Sequence, residues 1–197
     1  MTTVGDAWDR AARPFHVRCQ DVLRQRTLAA AEAAIADGPR ACAANFVVAQ
    51  AGAGGGARSL EAAPDVVGRV EPLDGALVHT NHFLDPEALG VEEPPSAYRA
   101  GSIHRLRRLD GLLRANAPID VPKLREILRD HDGRPNSVCR HVDPSRDAAY
   151  ETVTSAILDL DGREVWITDG PPCEAEYQHV ALGELAAQGS PDSPSAI

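Results

Sequence analysis

Lysine is almost missing from this chain: Lys123 is the single one, and the formal net charge is -9. That balance argues against a nucleic-acid groove, where clustered basic side chains must displace counterions from phosphate. Arg105, Arg107, Arg108 and Arg114 do cluster, but they share one predicted helix. Aromatics, at 4% of the chain, are too sparse for base stacking, so these arginines read as a solvated helix face. Cysteine is scarce and scattered. Cys19, Cys42, Cys139 and Cys173 form no C-x-x-C pair, so neither a zinc ribbon nor a dithiol redox motif is spelled out. Reduced thiols and a cytoplasmic location are the expectation. Long apolar runs are lacking too: Met1 to Arg13 has no signal-peptide core, and no stretch elsewhere is long enough to span a bilayer. Neither a nucleic acid nor a membrane is expected as a partner.

What is present suits an ordinary globular domain: 197 residues, 43% hydrophobic and 25% charged, enough to form a core. From Phe15 to Ala36 alanine is abundant and the apolar residues recur at helical spacing, which predicts one or two helices ended by Gly38 and Pro39. Ala43 to Gln50 and Ala57 to Ala62 flank a glycine-rich stretch and predict a β-hairpin. Strands are expected near Val66 to Val70 and, after the turn Leu73-Asp74-Gly75, over Ala76 to Thr80. Ser96 is placed to cap a helix from Tyr98 to Asn116, with Ile103, Leu106, Leu109 and Leu113 on one face. A shorter helix is expected from Val121 to Arg129, with Pro122 in its first turn. Ser137 to His141, Glu151 to Leu160 and Glu164 to Thr168 read as strands, the last two joined at Asp161-Gly162. The tail from 183 to 197 is small and polar and reads as disordered. The order of elements is that of an α+β domain with helices packed on antiparallel sheet.

Two segments carry the chemistry. In His79-Thr80-Asn81-His82, a strand runs out into a loop. Metal binding there is not expected, because on a strand His79 and His82 point to opposite faces and no glutamate stands at helical spacing. Both histidines read as partly buried groups that hold the strand end. Asn81 is different: a side-chain amide fixed at a strand end can donate to an oxygen that turns negative when a carbonyl is attacked. In the second segment, Ser137, Cys139 and His141 lie close together. A cysteine nucleophile needs a lowered thiol pKa, and no helix N-terminus or fixed cation provides one here, so Cys139 reads as a small buried residue. No metal is expected anywhere in the chain.

Together these landmarks resemble the isopenicillin N acyltransferase family of cysteine N-terminal-nucleophile hydrolases, also called penicillin acyltransferases. The resemblance is carried by Pro14-Phe15-His16 opening a helix, Leu60-Glu61 closing a hairpin, and Asp74-Gly75-Ala76-Leu77-Val78-His79-Thr80-Asn81-His82. It continues through Ser96 and Arg99, Ser137-Val138-Cys139 and Thr152, so it spans residues 14 to 182 and leaves residues 1 to 13 as an unmatched leader. It implies part of a four-layer αββα sandwich and the cleavage or transfer of an amide-linked acyl group. It also implies that Asn81 is the oxyanion donor and that His79, His82, Ser137, Cys139, Ser145 and Arg146 line a pocket. No cofactor is implied, although acyl-coenzyme A is a possible co-substrate.

The family's nucleophile is a cysteine freed when the precursor cuts its own Gly-Cys bond, so that the new α-amine can accept a proton. Here the residues before the four cysteines are Arg18, Ala41, Val138 and Pro172. The expectation is therefore an N-terminally incomplete homologue, inactive alone, that acts on a small amide or acyl substrate only when a second chain supplies the missing part. Such a chain should expose strand edges and apolar faces, and associate. The other reading is a non-catalytic binding or scaffold protein that pairs with another chain.

Overall fold

A computed structural model describes residues 6–143, 145 and 150–183, apart from the side chains of residues 96–98. The fold is α+β, with two three-stranded antiparallel sheets and four helices among the described residues. The chain divides into two compact units, Met1–Asp110 and Gly111–Ile197. None of the described helices is long and apolar enough to cross a membrane.

In the first unit, α1 (Phe15–Leu23) and α2 (Leu28–Ala36) occupy the alanine-rich stretch as two helices. Thr27 starts the second by accepting the Ala30 N–H, which satisfies one of the donors orphaned at a helix start. The C-terminal end of α2 is held by two buried arginines. Arg18 donates to the carbonyls of Ala34, Ile35, Asp37 and Pro39, and Arg40 donates to those of Ala36, Gly38 and Ala63. Guanidinium groups suit this position because a helix leaves its last carbonyls unpaired and partly negative. Burial pushes the pKa of both guanidinium groups down.

The expected hairpin forms as β1 (Ala44–Gln50) and β2 (Gly56–Ala62), with Ala44 opposite Ala62 and Gln50 opposite Gly56. β3 (Val67–Val70) pairs with the other edge of β2. Because side chains alternate across a strand, Leu60 and Ala62 turn to one face of β2, where they join Ile35 of α2 in the core with Phe46 and Val48 packed around them. Ser59 and Glu61 point the other way, yet both are buried. A second apolar cluster gathers Ala43, Ala63 and Phe83, with Val66, Leu89 and Val91 against it. Residues of the expected leader pack here as well: Asp6 accepts the Ala43 N–H and Arg10 pairs with Asp65.

The turn at Asp74-Gly75 is present, with both residues at positive φ and Leu73 and Ala76 exchanging backbone hydrogen bonds. The strand expected over Ala76 to Thr80 does not follow. Among the described residues its pairing is limited to the isolated bridge between Leu73 and Ala76, and the backbone donors just beyond it are met by side chains. Asn81 N–H donates to Ser102 Oγ, Phe83 N–H to Glu93 and Leu84 N–H to Glu61. Backbone groups so satisfied do not need a sheet ladder. The helix expected next is α3 (Ser96–Ala115). Ser96, expected as its cap, is instead its first helical residue.

In the second unit, α4 (Val121–Leu128) starts at Asp120, whose carboxylate accepts the Lys123 N–H, with Pro122 in the first turn. The strand expected over Ser137 to His141 is absent; the chain bends through residues 137–139. Cys139 N–H bonds to Asp130 O instead of a strand partner, and Ser137 Oγ donates to Cys139 O. Of the stretch Glu151 to Leu160, only β4 (Ala156–Asp159) is a strand. It pairs with β5 (Glu164–Ile167) around the expected Asp161-Gly162 turn. β6 (Gln178–Ala181), for which no sequence signal was read, completes the sheet, with Trp166 stacked on His179 across the strands. The tail beyond 183 lies outside the described residues.

Candidate functional site

The site in the first unit is built where the segment after the Asp74-Gly75 turn meets the polar face of β2 and the flank of α3. His79 lies between two oxygens: Nδ1 is 2.7 Å from its neighbour's carbonyl at Thr80, and Nε2 is 2.8 Å from Glu61 Oε1. A carbonyl only accepts, so Nδ1 is the donor in the first of these contacts. The side chains of His79 and Glu61 are each 2% exposed.

Ser102 of α3 holds the next three residues. Thr80 Oγ1 donates to the Ser102 carbonyl at 3.0 Å, Asn81 N–H donates to Ser102 Oγ at 2.8 Å, and His82 Nδ1 lies 2.8 Å from the same hydroxyl. His82 is buried. Burial pushes its pKa down, and the neighbouring His79 and Arg99 add to this, against Glu93 and Glu61. Both histidines are enclosed and hydrogen-bonded, as buried polar groups generally are. The Asn81 side chain is exposed, and Arg105 Nη2 donates to its Oδ1 at 2.6 Å. Oδ1 is thus the accepting end of this amide and Nδ2 its donating end. Arg105, half-buried on α3, meets Asn81 at the surface.

The remaining candidates lie in the second unit. Ser137 and Cys139 are both fully buried. Burial pushes the Cys139 thiol up to about 11, with the neighbouring Cys173 contributing, opposite to what a nucleophile needs. Cys139 Sγ stands 3.7 Å from His141 Nε2 and 3.5 Å from Cys173 Sγ, and the rings of His131 and His141 lie 5.0 Å apart, tilted by 53°. Ser145 is exposed and donates to Asp143 at 2.6 Å. Arg146 lies outside the described residues. All four cysteines are unbridged.

Sequence reasoning missed Glu61, Ser102 and Arg105 as members of the first site, and His131 and Cys173 as neighbours of Cys139. Glu61 alone left a trace: a carboxylate between Leu60 and Ala62 in an apolar strand needs a buried partner. The others are brought in by tertiary packing, which local pattern does not carry.

The sequence profile of a family described as acyl-coenzyme A:6-aminopenicillanic acid acyl-transferase matches residues 22–173. That is most of the chain and includes both clusters, so the protein belongs to this acyltransferase family. No curated protein matches the chain.

Proposed function

We propose that these residues form the oxyanion-binding part of an acyltransferase or amidohydrolase that acts on amide-linked acyl groups in the cytoplasm. The reading is supported by one observation above all: Asn81 stands beside a buried His79–Glu61 pair with its Oδ1 held by Arg105. An amide so oriented acts as a donor. In the proposed reaction a cysteine thiol, its proton taken by a free α-amine, attacks the acyl carbonyl. Negative charge grows on the carbonyl oxygen, Asn81 Nδ2 donates to it, and the tetrahedral adduct collapses as the leaving amine takes up the proton. Water or a second amine then releases the acyl group from the thioester. An acyl-coenzyme A thioester is an alternative donor in the same scheme.

No cysteine within these 197 residues follows a glycine. The attacking thiol therefore comes from sequence outside them, either a preceding segment of the same polypeptide or a second chain. Reading the coding DNA upstream of Met1, and that of neighbouring genes, for a segment with a Gly-Cys bond identifies the complement. The chain joined by that complement is then assayed with a chromogenic acyl anilide. Asn81→Ala is expected to lower kcat by about a hundred- to thousandfold, as loss of one oxyanion donor does. Turnover indifferent to Asn81→Ala, or hydrolysis at enzymatic speed by the pure chain alone, overturns the proposal. A stable complex with a Gly-Cys-bearing partner that never turns over favours the scaffold reading instead.

A further inference from the structure

His131, Cys139, His141 and Cys173 each point one ligand atom into a common space, all four atoms within 4.8 Å of one another. The two imidazole Nε2 atoms are 3.0 Å apart, the two sulfurs 3.5 Å apart, and His141 Nε2 is 3.7 Å from Cys139 Sγ and 3.3 Å from Cys173 Sγ. A tetrahedral zinc ion with Zn–S of about 2.3 Å and Zn–N of about 2.0–2.1 Å sets its ligands about 3.3 Å (N to N), about 3.6 Å (N to S) and about 3.8 Å (S to S) apart. The observed separations match that set to within a few tenths of an ångström. From this geometry we propose that the second unit holds a structural zinc ion ligated by His131 Nε2, Cys139 Sγ, His141 Nε2 and Cys173 Sγ. The proposal departs from the expectation that the chain binds no metal, which rested on the absence of C-x-x-C spacing and on the disposition of His79 and His82.

Three further features favour a metal over a casual meeting of side chains. Two sulfurs and two imidazole nitrogens are the donor set that selects zinc, and four protein ligands leave no open position, as in structural sites. The surroundings hold the ligands in place. His141 Nδ1, on the far side of the ring, is 3.6 Å from Glu174 Oε1, longer than a hydrogen bond but on the side from which a carboxylate orients a metal-bound imidazole. Cys139 N–H is bonded to Asp130 O, next to His131, and Arg129 Nε donates at 2.6 Å to the carbonyl of Pro172, next to Cys173. The second unit also has little else to fold around. Among its described residues only Ile127, Cys139 and Ile157 are buried hydrophobics, and small units with thin cores commonly rely on a metal or disulfides. Binding exchanges the two thiol protons for the dication: two S–H bonds break, two Zn–S bonds form, and two protons leave to solvent.

The test uses the full chain, purified under reducing conditions, loaded with Zn2+ and desalted. One zinc per chain is expected by elemental analysis, with two sulfur and two nitrogen scatterers in X-ray absorption. Co2+ in its place should show tetrahedral ligand-field bands and thiolate charge transfer. Cys139→Ser combined with Cys173→Ser should abolish binding, whereas Cys19→Ser combined with Cys42→Ser should leave it intact. Glu174→Gln should weaken zinc binding about 10- to 100-fold while keeping the tetrahedral cobalt spectrum. The wild-type chain decides the question without any variant. The proposal is overturned if it retains no zinc, if its cobalt spectrum is six-coordinate, or if Cys139 and Cys173 form a disulfide in the presence of excess zinc and reductant. Retention of zinc by the Cys139/Cys173 double variant overturns it equally.

Discussion

His79 Nε2 lies 2.8 Å from Glu61 Oε1, deep in the first unit, with both side chains almost wholly enclosed. The same carboxylate oxygen accepts the Leu84 N–H. Glu61 thus joins the middle strand of one sheet to both ends of the segment that carries Asn81. Removing it leaves a buried imidazole and a backbone donor without their acceptor, and breaking a buried pair from one side costs about 3–5 kcal/mol. Glu61→Ala is expected to lower the unfolding free energy measured by urea denaturation by that amount, and Glu61→Gln, which keeps an acceptor oxygen, by clearly less.

The C-terminal end of α2 offers a second measurement. Arg18 serves four carbonyls from one buried fork, and hydrogen bonds to charged groups contribute about 1.5–3 kcal/mol each when lost singly. Arg18→Leu should destabilise the first unit by at least about 2 kcal/mol in chemical denaturation. Arg18→Lys should recover only part of this, because an ammonium group cannot reproduce the planar fork.

His82 sets the response to acid. Burial lowers its folded-state pKa below the usual 6.5, so the unfolded chain takes up the proton first. Stability from this group is therefore complete above the unfolded value and declines as the pH falls through 6.5 toward the folded pKa. Thermal unfolding followed from neutral pH into the acid range should show a falling midpoint. His82→Gln should flatten the part of that slope that begins near 6.5, and an unchanged slope would remove His82 as its source.

Arg105 and Asn81 separate fold from function. Asn81→Asp keeps the shape and turns the contact with Arg105 Nη2 into an ion pair, so stability should hold or rise slightly. The carboxylate cannot donate, so activity of the complemented protein should fall as far as with Asn81→Ala, by about a hundred- to thousandfold. Equal activity of the aspartate variant would refute a donor role for this position.

The turn before the site has a fixed conformational demand. Gly75 sits at φ 78, next to Asp74 at φ 51, and a side chain in the left-handed region costs about 1–2 kcal/mol. Gly75→Ala should destabilise the first unit by about that much, although an added methyl would touch nothing there. Circular dichroism melts of the two proteins provide the comparison.

The elements read correctly from the sequence are those that local pattern determines. α1 to α4 follow from apolar spacing and from stops such as Gly38, and the β1–β2 and β4–β5 hairpins follow from their turn residues. The failures share a cause. Ala76 to Thr80 and Ser137 to His141 have the composition of strands, but local contacts take backbone groups a ladder would use. His79 Nδ1 meets the Thr80 carbonyl, Ser137 Oγ donates to that of Cys139, Arg140 N–H goes to Thr152 Oγ1, and Cys139 N–H goes to Asp130 O. β6 is short and polar, and only its pairing with β5 makes it a strand. The candidate site divided in the same way. Asn81 and the histidines were legible from their unusual clustering, whereas Arg105, Ser102 and Cys173 depend on distant segments meeting.

The alternation along β2 has a consequence for assembly of the first unit. Leu60 belongs to the oily side and Glu61 to the side that grips His79, so sliding the hairpin by one residue would drive a carboxylate under α2 and strand a leucine among polar groups. Hydrophobic collapse and the chemistry of the HTNH segment are thereby locked to one alignment. A misaligned intermediate forfeits both together and gains no foothold from either.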